Sequence, residues 1–262
     1  EHVSTIAAIA DDFAHAPNGA WSKNFHFLNV QGEKSVKVDL KRDCPVSDPC
    51  IVLAIRNYTE SLREMHRLFP NYRNVPVDDA EFMCPPYPLY PKNVDKPNPC
   101  ALAHFIHYVG DVHQPLHSAG VIDFPIGGNS NAQKCRVEFK KDDVELNEAS
   151  RVIHSVWDST MIDFYKKLRG FTGFEQLAND VYEMIRQNPS LVQQYGSQLD
   201  PEKWAQESFD ISRLHALNFD RENKYVGQAY YDENMPIILQ RLAAASIRAA
   251  VVLQQILDQP SF

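Results

Sequence analysis

Positive charge is scarce in this sequence. It carries 26 Lys and Arg against 34 Asp and Glu, a formal net charge of −8. An acidic surface repels phosphate at long range, which excludes a broad basic face for nucleic acid. A phosphate ester would have to be met by bound cations that reverse the local sign. Long apolar runs are missing as well. No stretch approaches ~20 uninterrupted apolar residues, so no membrane-spanning segment is expected. The best candidate, Leu242–Leu253, is broken by Arg248. No secretory signal pattern precedes EHVSTIAAIADDF, which already reads as helix. Repeats and linker-like tracts are absent too. The 262 residues, 44% hydrophobic, are expected to form one domain with a large core.

Cysteines are few, and their placement is informative. Cys44 and Cys50 frame the loop CPVSDPC, and Cys84 and Cys100 frame a proline-rich loop. Cysteines bounding irregular loops suggest disulfides and an oxidising compartment; the alternative is a set of buried free thiols. Five is an odd number, so one cysteine is free or has a partner outside the chain. Asn57-Tyr58-Thr59 is an N-glycosylation sequon, in keeping with a secreted or extracytoplasmic protein, a cell-surface position included.

Most segments read as helix. Asp48-Pro49 predicts an N-cap and first-turn proline for a helix to about residue 69, and Asn98-Pro99 repeats the signal for one through about Val112. Apolar spacing predicts helices at 148–168, 174–187, 201–217 and 236–257, with Asp200-Pro201 opening the third. Arg136–Leu146, where VEF and VEL flank a Lys-Lys-Asp-Asp turn, is the one strand-like piece. The fold class expected is all-α, a single mostly helical domain with one small β-hairpin.

The chemistry concentrates in HFIHYVGDVHQPLHSAG, residues 104–120. His107 and Asp111 stand four apart on a predicted helix, so both can reach one ion. Gln114-Pro115 ends that helix, and His117 arrives from the turn beyond at a new angle. His154 and Asp158 repeat the spacing of four on another helix. Near the start stand Asp11 on a helix end and His26 in the extended stretch FHFLNV. About one His-x-x-x-Asp pair is expected by chance, and the chain has two. Imidazole and carboxylate without thiolate suit Zn²⁺ in a hydrolytic site. A phosphodiester resists anionic nucleophiles; one ion makes hydroxide available and a second steadies the leaving oxygen. Asp111 is the natural bridge between ions, and Asp11 could double as general base. His104 and His113 are assigned to packing or to hydrogen bonds behind the site, and His2, His15, His66 and His215 to structure.

These residues have a family look. His107 followed by GDVHQPLH resembles the signature of the zinc-dependent single-strand-specific nucleases. That family includes the mung-bean and fungal enzymes and the class I nuclease/3′-nucleotidases, within a superfamily that also holds zinc phospholipase C. Further matches are Gly127-Gly128-Asn129, HSVWD at 154–158, RLAAASIRAA at 241–250, ADDFAHAPNGAWSKNFHF at 10–27 and CPVSDPCIVLAIRNYT at 44–59. The resemblance spans essentially the whole chain.

It implies that Asp11, His26, His107 and Asp111 hold one zinc and that His117, His154 and Asp158 hold a second, with Asp111 bridging to a third. It implies a Cys44–Cys50 disulfide loop, a base stacked on Phe27 and a base edge bonded to Asn29. It also implies hydrolysis of single-stranded DNA or RNA to 5′-nucleotides, 3′-nucleotidase activity and a monomeric enzyme. The chain departs from the pattern in three places. The family's first residue, a Trp that binds the third zinc, and a following His have no counterpart, so the third site is expected to need an N-terminal segment that this chain lacks. Ala14 stands where an Arg is common, and Ile9 where a Trp is. A zinc phospholipase C is the competing enzyme reading, but that branch carries Glu where this chain has Asp158. The non-enzymatic alternative is a degenerate binding relative.

Overall fold

The computed structural model describes residues 7–17, 19–31, 35–68, 100–120, 136–139, 151–219, 222 and 225–258. Among these the chain is helical, with one small sheet. Helix α1 is Ile9–His15, and a 3₁₀ turn, Ala20–His26, doubles back beside it. Gly19 allows that return: a Cβ there would lie 1.7 Å from the Phe13 carbonyl oxygen. His26 is thereby brought back alongside Asp11.

Helix α2 is Leu40–Asp43 and α3 is Ile51–Leu68. The predicted N-cap of α3 is corrected by two residues. Asp48 instead accepts a hydrogen bond from Asn24 at 2.6 Å, and Pro49 lies outside the helix. The reason is the Cys44–Cys50 disulfide, which fixes the boundary; the Cys50 carbonyl accepts the first helical bond, from Ala54 N–H at 3.0 Å. The sequon residues Asn57 and Thr59 sit within α3.

Helix α4, Cys100–His113, packs on α3, and the 3₁₀ turn Pro115–Ser118 follows. Strand β1, Arg136–Phe139, pairs antiparallel with β2, Arg151–Val152, and parallel with β3, Tyr225–Val226. The predicted hairpin partner, residues 144–146, lies outside the described residues, as do Asn98-Pro99, Gly127-Gly128-Asn129, Cys84 and Cys135.

The predicted helix at 148–168 resolves into pieces. Residues 151–152 are drawn into the sheet, and then come α5 (Ile153–Ser155), a π turn (Val156–Thr160) and α6 (Met161–Leu168). Gly170, at φ +68, closes α6, with Phe171 N–H returning to the Lys166 carbonyl at 2.8 Å. Helix α7 is Phe174–Gln187, α8 is Ser190–Gly196 and α9 is Pro201–Ile211, the last capped by Asp200 as expected. A π turn, Ser212–Ala216, extends α9.

The last helix, α10, is Gln228–Leu257, eight residues longer at its start than the apolar spacing predicts. Pro236 falls inside it. Tyr230, Tyr231 and Met235, all buried, hold the extra turns in place. By length and composition α10 could cross a membrane. Here one side of it packs on α4, α7 and α8, with Arg241 and Arg248 buried, 6% and 1% exposed, against Glu207.

Among the described residues, two larger apolar cores flank α10, beside a small one of Leu177, Val181 and Ala243. One joins α3, α4 and α9 around Phe105, Tyr108 and Trp204; the other joins α5, the π turn and α6 with the start of α10 around Trp157, Phe164 and Tyr231. Each buried Leu, Ile or Phe side chain contributes about 1.5–3 kcal/mol. A cleft of roughly 590 Å³ lies where the two cores meet.

Candidate metal centre

Four side chains converge at the first position. His26 Nδ1 lies 2.9 Å from Asp111 Oδ2, 3.1 Å from His107 Nε2 and 3.4 Å from Asp11 Oδ1. His107 Nε2 lies 3.0 Å from Asp111 Oδ2 and 3.5 Å from Asp11 Oδ1. Asp11 comes from α1, His26 from the 3₁₀ turn, and His107 and Asp111 from adjacent turns of α4. The His107 ring is aimed by its far nitrogen, whose N–H donates to the Ala7 carbonyl at 2.6 Å.

Three side chains form the second position. His154 Nε2 lies 3.0 Å from Asp158 Oδ2, and His117 Nε2 lies 3.5 Å from Asp158 Oδ1. The His117 and His154 rings stack with centroids 4.7 Å apart. His117 Nδ1–H donates to the His26 carbonyl at 2.7 Å, which leaves Nε2 for Asp158 and links the two positions through the backbone of a first-position residue. A further link is Asp111, whose Oδ1 lies 3.6 Å from His117 Nδ1.

The donors Asp11, His26 and His107 lie within 4.8 Å of one another, and so do His117, His154 and Asp158; each group could hold a metal ion. The spacing of four works differently in the two pairs. His107 and Asp111 are one regular α-turn apart, whereas His154 and Asp158 are separated by the widened backbone of a π turn.

The charges are interlocked. Burial pushes the His107 imidazolium down, but its bonds to Asp11 and Asp111 overcome this and raise it to about 10. His117 behaves likewise: burial opposes its charge, Asp111 and Asp158 favour it, and it rises to about 9. Burial also works against the Asp111 charge, and the neighbouring His117, His107 and His26 outweigh it, holding the carboxyl well below the usual range. Asp158 is held low against burial by His117 and His154. Asp11 is lowered by its bond to His107. The carboxylates are therefore ionised at neutral pH, and a cation can replace the protons on the imidazoles.

Phe27 lies in an extended segment beside His26. Leu28 and Val30 are fully buried there, so Phe27 and Asn29 share the opposite face. Phe27 lines the cleft, and Asn29 is not among its lining residues. Leu28 and Val30 N–H donate to the His117 and Ala119 carbonyls at 2.7 and 3.1 Å, joining this segment to the second position.

Several contributors are not apparent in the spacing of ligand types. Lys23 lines the cleft, and among the described residues no carboxylate pairs with it. His15, assigned to structure from its sequence, also reaches the lining, with Nδ1–H on the Asp11 carbonyl at 2.8 Å. Ala14 is buried and also lines the cleft. His113 has the supporting role assigned to it. Burial and two arginines hold it neutral, its Nδ1–H donates to the Val109 carbonyl, and its Nε2 accepts from Arg248 at 2.8 Å. Arg241 donates to the His113 carbonyl at 3.0 Å and caps the end of α4 beyond Asp111. His104 stacks on Tyr58, centroids 4.9 Å apart.

Comparison with known proteins agrees with this geometry. The S1/P1 nuclease family model matches residues 1–258. Endonuclease 3 of Arabidopsis thaliana is 24% identical over 260 residues, 97% of this chain and 76% of that protein. Nuclease S1 of Aspergillus oryzae is 25% identical over 282 residues, 99% of this chain and 81% of that protein. Nuclease P1 of Penicillium citrinum is 28% identical over 162 residues, 61% of this chain and 45% of that protein. With a family model matching nearly end to end and two His/Asp clusters on an all-α frame, the chain belongs to the S1/P1 nuclease family and is a hydrolase acting on phosphodiester bonds.

Proposed function

We propose that this protein is a zinc-dependent nuclease that cuts single-stranded DNA and RNA to 5′-nucleotides and removes phosphate from 3′-nucleotides. The observation that supports this most is the pair of His/Asp clusters sharing Asp111, with Phe27 in the wall beside them. In the reading proposed, Asp11, His26, His107 and Asp111 hold one zinc ion and His117, His154 and Asp158 a second. The fit can be judged from ligand spacing. A tetrahedral zinc with bonds of about 2.0–2.1 Å separates its ligand atoms by about 3.3 Å. His26 Nδ1 and His107 Nε2 lie 2.9–3.5 Å from each other and from the nearest oxygens of Asp11 and Asp111. The second position offers three donors and leaves a coordination place for water or substrate, as hydrolytic zinc requires. Neither cluster contains a thiolate, which suits an ion that must keep Lewis acidity.

Bound zinc supplies a nucleophile at neutral pH and neutralises charge on phosphorus. The chain's own residues supply the rest. Asp11 leaves 59% of its side chain in solvent at the cleft mouth, where an ionised carboxylate can take a proton from attacking water. Phe27 offers a flat face to an unpaired base, and stacking of this kind tolerates every base but excludes a paired one. Asn29, two residues on, is proposed to bond the base edge. Lys23 supplies a cation for a substrate phosphate on an otherwise acidic protein.

The test is hydrolysis of single-stranded DNA, duplex DNA, 3′-AMP and phosphatidylcholine, each with chelator and after zinc is restored. Zinc-restored cleavage of the first and third substrates is expected. Cleavage of lipid alone would mean a phospholipase C, and no cleavage by protein carrying both ions would mean a binding relative. The disulfide and the Asn57 sequon also support secretion, with a monomer the simplest state; intact mass before and after glycosidase reads the glycan directly.

A further inference from the structure

The second cluster draws on three segments: the 3₁₀ turn that bears His117, α5 with His154, and the π turn with Asp158. Gln114 touches two of them. Its Oε1 accepts the Leu116 N–H and so caps the 3₁₀ turn. An amide whose oxygen is committed in this way has its nitrogen end assigned. That nitrogen donates to Asp158 Oδ1 at 2.6 Å. Pro115 sets the direction: the residue before a proline is pushed out of helical conformation. Gln114 accordingly adopts φ −78, ψ 117, which turns its side chain off the end of α4 and across to the π turn.

We propose that Gln114 is a positioning residue for His117, His154 and Asp158. Its amide fixes the rotation of the Asp158 carboxylate, holding Oδ1 while Oδ2 faces His154. The inference rests on reading this cluster as a metal site. The amide nitrogen is only a donor and cannot itself bind a cation. Its part is to orient a ligand, and loss of such a partner commonly costs about 10- to 100-fold in metal affinity. The same side chain couples Asp158 to the turn carrying His117, so two ligands from distant parts of the chain share one brace.

Gln114→Glu tests this with little change in shape. The substituted side chain keeps an acceptor for Leu116 N–H but presents oxygen, not N–H, to Asp158. The full chain is stripped with chelator and titrated with Co²⁺, following stoichiometry and the visible absorption of the bound ion. Wild type is expected to take up at least two ions. Q114E should keep the ion at Asp11, His26, His107 and Asp111, bind the other about 10- to 100-fold more weakly, and show an altered spectrum for it. Its metal-free melting temperature should fall modestly, because two carboxylates then meet, while the ion at Asp11, His26, His107 and Asp111 is retained. Gln114→Ala, which removes both bonds, should show the same selective loss and serves if Q114E folds poorly. A second ion bound by Q114E with wild-type affinity and spectrum overturns the inference alone. A wild type that takes up a single ion, or a His154→Ala variant that loses none, overturns it together with the metal reading of the cluster.

Discussion

Asp111 turns one carboxylate oxygen to His107 and the other to His117: Oδ2 is 3.0 Å from His107 Nε2, and Oδ1 is 3.6 Å from His117 Nδ1. Of the three carboxylates Asp11, Asp111 and Asp158, Asp111 is the one that approaches an imidazole of each cluster. Asp111→Asn should therefore do more harm than loss of any single imidazole. The expected result is a fall in kcat of more than about 100-fold on both single-stranded DNA and 3′-AMP, with less than full metal content at both positions. Elemental analysis beside the kinetics reads this out, and full metal with full activity would remove Asp111 from the centre.

The raised imidazoles make a signed prediction about pH. His107 and His117 ordinarily titrate at 6.5 and stand at about 10 and about 9 in the folded chain. Their pairing stabilises metal-free protein fully below pH 6.5, and that stability is lost as pH rises through 9 to 10. Asp111 and Asp158 lie below their ordinary 3.8, so their contribution is present above it and is lost as pH falls. Chelator-treated protein should thus melt highest between those two limits. Zinc must displace the imidazole protons, so the rise in melting temperature it causes should grow from about pH 5 to about pH 8. A zinc effect independent of pH over that range would contradict the protonated clusters.

Lys23 and Phe27 are expected to act on binding. Lys23→Gln should raise KM for single-stranded DNA and lower the slope of log affinity against log salt by about 0.7, the share of one phosphate contact on a single strand. Phe27→Ala should remove a stacking platform worth about 1–3 kcal/mol, or roughly 5- to 150-fold in KM. Steady-state kinetics at several salt concentrations separates the two effects. An unchanged salt slope in the Lys23 variant would place its ammonium away from the phosphates.

Arg248→Met probes the frame behind the site. Arg248 is 1% exposed and makes bonds of 2.7 and 2.6 Å to Glu207. Removing it leaves the carboxylate with Arg241 alone. The cost should be about 3 kcal/mol, the low end for a broken buried pair, because Glu207 keeps 36% of its side chain in solvent. Urea unfolding measures it; a change under about 0.5 kcal/mol would show that the pair is not needed for stability.

How far this molecule can be read from its residues depends on the range of the cause. The His107–Asp111 pair, the change of direction at Gln114-Pro115 and the Asp200 cap are local, and each stands where its sequence signal puts it. The α3 boundary was misplaced because a disulfide outranks an Asp-Pro signal. The first turns of α10 lie outside the apolar spacing that marks 236–257, and burial of Tyr230 and Tyr231 carries the helix back through Pro236. Lys23 and Gln114 carry no metal-ligand spacing and become visible only when the cleft is closed around them. The junction of β2 with α5 depends on β1, a partner distant enough that no window on 148–168 could reveal it.

The π turn at Val156–Thr160 holds one residue more than an α-helix would use for the same span. Deleting it would leave His154 and Asp158 three apart on a smoother helix, on one face but offset by about 60° around the axis. The property is therefore encoded in chain length as well as in residue identity. A homologue that keeps both His and Asp but is one residue shorter between them would look intact by composition and yet present its two donors at a different angle.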